Sequence, residues 1–283
     1  MKIIIILEAK EILMIIDRTC DLIKTRFGNA LESLTITDAA AGMYLTAVKL
    51  SDGSTGTSSV VRDDSPVCAR HTRDFGAFTP LKITGRKVLD LLSTEKKSAL
   101  ISSLKTAVLN AFSSRIISSG AYRILENCDP VELLDLNLHK TITVVGAFQS
   151  YIRKISMTGN RLLVLEMNEN ALADEQKKFY VPHDEYKKIL PQSDIVIITG
   201  QTLVNDTIDD ILEAVKPGSQ VIVTGPSSGI LPDILFKNKV SVVGTVRITK
   251  PDILFSIVRE GGTGYHLFEY CAQKICILRE DEE

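Results

Sequence analysis

The stretch VIVTGPSSGI, from Val221 to Ile230, begins as a continuous apolar run and then breaks into a turn of glycine, proline and serine. Three other segments show the same change from a β-branched run to glycine: TITVVGAF at 141–148, IVIITGQT at 195–202 and VSVVGTVR at 240–247. Continuous apolar strands that alternate with helical segments are typical of a parallel sheet covered on both faces. We therefore predict an α/β fold in which residues 131–283 form a Rossmann-like, doubly wound domain with a mainly parallel sheet.

The pattern before residue 130 is different and predicts a small α+β domain over residues 1–130. Helical spacing of apolar residues predicts an opening helix over 8–27 that stops at Gly28. Further elements follow along the chain: strands near 34–36, 44–50 and 57–61, a polar loop at 62–80, and helices over 84–93 and 95–118. Short strands joined by turns indicate an antiparallel meander packed by helices.

The composition limits the class of protein. The chain has 283 residues, of which 45% are hydrophobic, and a formal net charge of −2, so it can build a sizeable core. Lysine and arginine are scattered, which argues against a nucleic-acid partner. The N-terminal apolar run is interrupted at Glu8, so we predict no signal peptide, and no window reaches the roughly 18 apolar residues of a membrane span. The five cysteines lie far apart, as expected in a reducing cytoplasm, and a homodimer is the default expectation.

Glycines follow four of the predicted strands: Gly146, Gly200, Gly225 and Gly244. In open α/β sheets ligands bind outside the carboxyl ends of the strands, and glycine there lets the backbone approach a ligand. The remaining strand ends at Glu166, about 20 residues after Gly146, which is the spacing of an acidic residue that binds ribose. Phe148 takes the place of the second glycine of the dinucleotide fingerprint. This argues against ordinary NAD binding and leaves a smaller or differently placed ligand open.

Polar residues in two of these turns are ligand candidates. In TGQTLVNDT, Thr199 and Gln201 follow the strand, whereas Asn205 either contacts a ligand or caps the next helix. In GPSSG, Ser227 and Ser228 offer hydroxyl and N–H groups to an anion. The turn lacks the Gly-Lys-Ser/Thr of a Walker loop, so we do not expect it to bind nucleotide phosphates.

Seven segments, taken in order, resemble the two-domain family called "putative heavy-metal chelation" proteins, which began as a domain-of-unknown-function family. They are LSDGSTG at 50–56, TAVLNAFS at 106–113, VVGAF at 144–148, LLVLEMN at 162–168, VIITGQTLVNDT at 196–207, VTGPSSGILPDILF at 223–236 and VVGTVRITKPD at 242–252. The resemblance runs the length of the chain. It implies an N-terminal domain like the small cap domain of enolases, a C-terminal Rossmann-like domain, and a ligand site in the cleft between them.

The resemblance also implies which residues face that cleft. They are Asn110, Gly146, Ala147, Phe148, Glu166, Thr199, Gly200, Gln201, Asn205, Gly225, Pro226, Ser227 and Ser228. The role that the family name implies is binding of a heavy metal or of a metal-chelating small molecule. The loop at 62–80 is longer and more charged than the resemblance implies.

Direct binding of a soft metal needs thiolate and imidazole ligands that converge. Cys68 and His71 form a Cys-x-x-His pair in the polar loop and are the candidate metal ligands. Cys271 and Cys276, separated by four residues, match no zinc pattern. The alternative is that a cleft lined by Glu166, Asn110, serines and glycine amides holds a metal through an organic chelator.

No motif in the sequence identifies a catalytic nucleophile or base, so the sequence leaves open whether the protein is an enzyme. Three functions remain. The first is binding of a small ligand or metal chelate, and the second is an enzyme with a nucleotide-like cofactor of the methyl-donor type held by Glu166. The third is an accessory or scaffold subunit whose Rossmann-like domain has lost its ligand.

Overall fold

The computed structural model describes residues 13–61, 75–137 and 139–280. The start of the predicted opening helix and the candidate ligands Cys68 and His71 lie outside these ranges. A small sheet has the strands β1 (Ile36–Ala41), β2 (Leu45–Leu50) and β3 (Thr55–Ser59). A larger sheet has the strands β4 (Arg123–Glu126), β5 (Thr141–Val145), β6 (Arg161–Glu166), β7 (Tyr180–Pro182), β8 (Ile195–Thr199), β9 (Gln220–Thr224), β10 (Val240–Ile248) and β11 (Ala272–Leu278).

The helices are short except for two in the first half of the chain. In order they are α1 (Ile15–Glu32), α2 (Val88–Leu92), α3 (Ala99–Ile117), α4 (Gln149–Ser156), α5 (Tyr186–Ile189), α6 (Ile208–Ala214), α7 (Asp233–Lys237), α8 (Pro251–Arg259) and α9 (Gly264–Tyr270). α3 lies within the helix predicted over 95–118, and α2 within the one predicted over 84–93.

The larger sheet confirms the prediction of a mixed α/β fold. Its strands run in the order β4-β11-β10-β9-β8-β5-β6-β7. The pairs from β7 to β10 are parallel, whereas β11 pairs antiparallel with β10 and with β4. β4 precedes residue 130 in the chain but belongs to this sheet. The division into residues 1–130 and 131–283 stays a prediction.

Gly244 does not end a strand, so that prediction is wrong. β10 continues through Gly244 to Ile248, and Gly244 is paired with Thr224 on one side and Cys276 on the other. A Cβ at position 244 would overlap the ring of Pro130. The glycine is therefore needed because another part of the chain packs directly against the strand.

The first helix also continues beyond its predicted end at Gly28. The backbone departs from helical angles at Phe27, with φ −133° and ψ 21°, but the helix resumes and reaches Glu32. The Phe27 ring packs edge-on against Phe112 of α3, with 5.6 Å between ring centroids, and Leu31 is fully buried. Packing of the partly buried Phe27 ring and burial of Leu31 favour continuation of the helix over the local preference of glycine to end it.

One apolar core joins the two sheets. Its buried residues include Ile23 of α1 and Leu104 of α3 together with Ile198, Val223 and Val243 of the larger sheet. α3 also packs on β2 and β3, so it lies between the small sheet and the larger one. As a result, β3 is held against the turns that follow β8 and β9.

Candidate functional site

Three turns at the carboxyl ends of the parallel strands approach one another closely. The strand order reverses between β5 and β8, because β6 lies on one side of β5 and β8 on the other. Gly146, directly after β5, has a φ of +104°, and a Cβ there would lie 3.1 Å from Thr199 Cβ. Gly225, directly after β9, has a φ of +130°, and a Cβ there would lie 3.6 Å from Gly200 N. Glycine is thus required at both turns by backbone conformation.

The serines of the Pro226–Ser228 turn connect this region to β3 and β10. Both serines are fully buried. Ser227 Oγ accepts a hydrogen bond from the Ser59 N–H at 2.7 Å. Ser228 Oγ lies 2.6 Å from Gly225 O and 2.7 Å from Gly244 O, and its single proton is shared between these two carbonyl oxygens. Both hydroxyls therefore make hydrogen bonds within the fold, and an anion contact by either serine stays a prediction.

Asn110 reaches the same turn from α3. Its side chain is only 6% exposed. Nδ2 donates to Thr57 O at 2.7 Å and to Pro226 O at 3.0 Å. Both amide hydrogens are used on carbonyl oxygens, which fixes the orientation of the amide. Oδ1 is left buried and without a hydrogen-bond partner among the described residues.

A second unpartnered oxygen lies next to Asn110. Thr245 Oγ1, on β10, is buried and has no hydrogen-bond partner among the residues that the structure describes. A Cβ at Gly229 would lie 2.9 Å from Thr245 Oγ1 and 3.5 Å from Asn110 Oδ1. Because residue 229 is glycine, the space within 3.5 Å of both oxygens is not filled by a side chain. Leaving a buried polar group unpaired costs about 1–3 kcal/mol, so this arrangement is costly unless a partner enters.

This space is part of a cavity of about 30 Å³ between α3, the start of β3, the Pro226–Ser228 turn and the end of β10. Its lining includes Asn110, Ser114, Gly229, Thr245 and Arg247. One water needs about 10–15 Å³ of cavity volume, so this cavity has room for a water or for one hydroxyl or amino group of a ligand. The cavity lies at the junction of the two sheets.

Four of the predicted site residues make local contacts. Glu166 Oε1 accepts from the N–H groups of Met167 and Asn168, at 2.7 and 3.2 Å, and so stabilises its own turn. The Asn205 amide bonds to the Thr207 hydroxyl at 2.7 Å. The remaining two are Gln201, which is exposed and donates its N–H to Thr199 Oγ1, and Phe148, which stacks on Tyr151 at 5.2 Å.

A separate polar group surrounds Asp129. Asp129 accepts hydrogen bonds from Tyr151 and Lys274. Burial on its own raises the pKa of Asp129, but the bonds from Lys274 and Tyr151 outweigh it and hold the pKa below its usual value of 3.8. Burial and the neighbouring Asp129 carboxylate raise the pKa of Tyr151. Asp129 is therefore ionised and paired at neutral pH.

No group of three or more His, Cys, Asp or Glu side chains in the described ranges is arranged to hold a metal ion. Cys271 and Cys276 do not form a pair, because Cys271 packs in one apolar cluster and Cys276 in another. The partner of Cys276 is Cys128, whose carbonyl oxygen lies 3.2 Å from Cys276 Sγ. Sequence spacing gave no signal of this contact, because the two residues are 148 positions apart.

Two family models with the description "Putative heavy-metal chelation" match the sequence, one over residues 129–277 and one over residues 24–113. The chain belongs to this family. Both matches agree with the resemblance found in the sequence. The description names no site residues, so the location of the site rests on the geometry above.

Two members of the family with solved structures share the fold. One is a protein of unknown function from Pyrococcus horikoshii, 20% identical, with a TM-score of 0.76 over 94% of this chain and 100% of that chain. The other, of unknown function from Desulfitobacterium hafniense, is 17% identical, with a TM-score of 0.68 over 92% of this chain and 100% of that chain.

A curated relative is also similar in sequence. It is an uncharacterised protein of Methanocaldococcus jannaschii, 28% identical over 114 residues, which is 36% of this chain and 43% of the relative. The chain thus matches less than half the length of that protein. No helix in the described ranges combines the length and hydropathy needed to cross a bilayer.

Proposed function

We propose that the protein binds a small organic ligand or a metal chelate at the junction of the two sheets, where Asn110 and Thr245 contact it. The observation that carries this proposal is the cavity between α3 and β10 with two buried, unpartnered oxygens. Folded proteins pair nearly all of their buried polar groups, and exceptions are often sites for water or ligand. The family description, which names chelation, supports the same class of function.

The cavity favours a particular chemical group on the ligand. Asn110 Oδ1 is an acceptor, because Nδ2 is held by two carbonyl oxygens. A partner must therefore donate a hydrogen bond, and the volume of about 30 Å³ admits one small group. We infer that the ligand inserts a hydroxyl or an amine, which satisfies Asn110 Oδ1 and Thr245 Oγ1 together.

The residues of this cavity do not fit a bare heavy-metal ion. Soft metals select thiolate and imidazole ligands, whereas Asn110 and Thr245 offer an amide and a hydroxyl oxygen. A metal at this place would have to arrive within an organic chelator that supplies its own ligands. The protein then recognises the chelator.

The test compares two variants that each remove one buried, unpartnered hydroxyl. Thr245→Val removes a hydroxyl that lines the cavity. Ser113→Ala is the matched control, because Ser113 Oγ is also buried and has no hydrogen-bond partner among the described residues but does not line the cavity. Protein purified without an affinity tag is analysed by native mass spectrometry and by identification of molecules released on unfolding. We expect a bound molecule in the wild type and in Ser113→Ala, and at least about a tenfold weaker association in Thr245→Val.

A second candidate is an enzyme that uses a nucleotide-like cofactor. The parallel strands in the order β7-β6-β5-β8-β9-β10 follow the 3-2-1-4-5-6 order of dinucleotide-binding folds, in which the ligand lies where the order reverses. This order supports our assignment of the larger domain as Rossmann-like. The cofactor would need Glu166 to exchange its two turn N–H bonds for a ribose.

Calorimetry with adenine, nicotinamide and methyl-donor cofactors tests this second candidate. If one binds, Glu166→Ala weakens it about tenfold, or about 1.4 kcal/mol. The absence of heat with all three classes would reject it and leave the first proposal standing.

A further inference from the structure

Two thiols that are far apart in sequence meet at the edge of the larger sheet. Cys276 lies on β11 opposite Leu125 of β4. β4 ends at Glu126, and Asn127, in the left-handed conformation with φ +53°, turns the chain. This turn brings Cys128 beside Cys276. Cys276 Sγ donates to Cys128 O at 3.2 Å, and burial together with the neighbouring Cys128 thiol raises the pKa of Cys276.

The two cysteines differ in burial, because Cys276 is buried and Cys128 is partly exposed to solvent. Cys276 is fully buried in an apolar cluster with Ile142, Ile222 and Val242. Cys128 packs against the same cluster but is partly exposed. The nearby Asp129 carboxylate is paired with Lys274, with 2.5 Å between Oδ2 and Nζ. An incoming ion can therefore reach Cys128 from solvent and Cys276 through it.

The number of ligands decides which metals suit the pair. Among the described residues, no third His, Cys, Asp or Glu completes a cluster with these thiols. Zn²⁺ in proteins is almost always held by four ligands in structural sites, so two thiols do not make a zinc site. Thiolates are soft ligands. A soft d¹⁰ ion with linear, two-coordinate geometry requires no ligand beyond these two thiolates.

The net charge of the complex between the metal ion and the two thiolates further limits which metal ions suit the site. Burying a net charge in an apolar region is expensive. Two thiolates with Hg²⁺ form a neutral complex, whereas two thiolates with Cu⁺ or Ag⁺ leave a charge of −1. The apolar surroundings of Cys276 therefore favour a divalent ion.

We propose that Cys128 and Cys276 form a two-coordinate thiolate site for a soft divalent cation of the Hg²⁺ type. On binding, two S–H bonds break, two S–Hg bonds form and two protons pass to solvent, with no change of oxidation state. The site shares no residue with the Asn110 cavity and does not depend on it. Failure of the ligand proposal would leave this site in place, and the reverse also holds.

The experiment uses the full chain with Cys68→Ser, because Cys68 lies outside the described residues and its thiol would also bind mercury. The protein is loaded with one equivalent of Hg²⁺ and dialysed against glutathione, and bound mercury is measured by elemental analysis and by thiolate-to-mercury ultraviolet absorbance. We expect one Hg²⁺ per chain to be retained. Zn²⁺ is tested in parallel and should not be retained.

Matched variants locate the site. Adding Cys20→Ser and Cys271→Ser removes two buried thiols elsewhere and should leave retention unchanged. Adding Cys128→Ser alone, at a partly exposed position, should weaken retention at least about tenfold without affecting folding. Cys276→Ala should do the same. Equal retention with and without Cys128, or loss with the Cys20 and Cys271 changes, would overturn the proposal.

Discussion

The two serines of the GPSSG turn should differ in their contribution to stability, although both are fully buried. Ser227→Ala removes the acceptor of the Ser59 N–H, which lies at the end of β3. Ser228→Ala removes a hydroxyl that donates to Gly225 O and Gly244 O. Ser227→Ala leaves the Ser59 N–H donor unpaired at the contact between the two sheets. Ser228→Ala affects only two carbonyl acceptors, Gly225 O and Gly244 O.

The magnitudes follow from what remains after each change. An unpaired donor costs about 1–3 kcal/mol when buried, and the Ser59 N–H is part-buried, so we expect Ser227→Ala to lower the free energy of unfolding by about 1.5 kcal/mol. After Ser228→Ala, Gly225 O still accepts from Ser228 N at 3.2 Å, and Gly244 O still accepts from Gly225 N at 3.1 Å. Only the net value of a hydrogen bond is lost, about 0.5–1.5 kcal/mol.

Urea unfolding followed by circular dichroism measures both variants against the wild type. The expected order of stability is wild type, then Ser228→Ala, then Ser227→Ala. If Ser227→Ala were as stable as the wild type, or more stable than Ser228→Ala, the role given to Ser227 in joining β3 to the turn would be refuted.

Three further predictions concern other parts of the structure. In protein freed of any bound molecule, Thr245→Val should leave the free energy of unfolding unchanged or raise it by up to about 1 kcal/mol, because the hydroxyl has no partner among the described residues. A ligand-free variant less stable than the ligand-free wild type in urea unfolding would contradict that assignment. Lys239→Met should lower the free energy of unfolding by about 1–2 kcal/mol, because Lys239 Nζ donates to three carbonyl oxygens at the end of α6. The control is Lys237→Met, because the Lys237 side chain has no hydrogen bond or ion pair to described residues. It should change the free energy of unfolding by no more than about 0.5 kcal/mol. Burial alone raises the pKa of Asp233, but hydrogen bonds from Tyr122 and Arg26 outweigh it and hold the pKa below 3.8. The ionised Asp233 therefore stabilises the folded state above pH 3.8, and this contribution is lost as the pH falls further. The stability difference between wild type and Tyr122→Phe should therefore shrink below that pH in urea titrations, and a constant difference would contradict it.

The sequence predicted the centre of the larger sheet and missed its edge. β5, β6, β8 and β9 are continuous apolar runs, because both of their faces are buried. β4 and β11 contain Arg123, Gln273 and Lys274, because the edge of a sheet is partly open to water. Turns and short helices have similar mixtures of polar and apolar residues, so the sequences of β4 and β11 alone do not predict strands.

The candidate site was only partly predictable for a similar reason. The GPSSG turn was a candidate from its own residues and Asn110 from the family resemblance, and the structure brings them into contact through Asn110 Nδ2 and Pro226 O. Thr245 was missed because Gly244 was interpreted as the end of a strand. No local pattern shows that a glycine inside a strand marks a close approach of Pro130, or that Cys128 meets Cys276. Both depend on contacts between distant parts of the chain.

The most direct test of the account is to fill the cavity. Gly229 has a φ of −78°, which alanine adopts readily, and its added methyl group would lie 2.9 Å from Thr245 Oγ1 and 3.5 Å from Asn110 Oδ1. Native mass spectrometry of untagged wild type and Gly229→Ala measures the bound molecule directly. We expect one small molecule or metal chelate per wild-type chain and none in Gly229→Ala. Equal occupancy in both proteins, or none in the wild type, would contradict it.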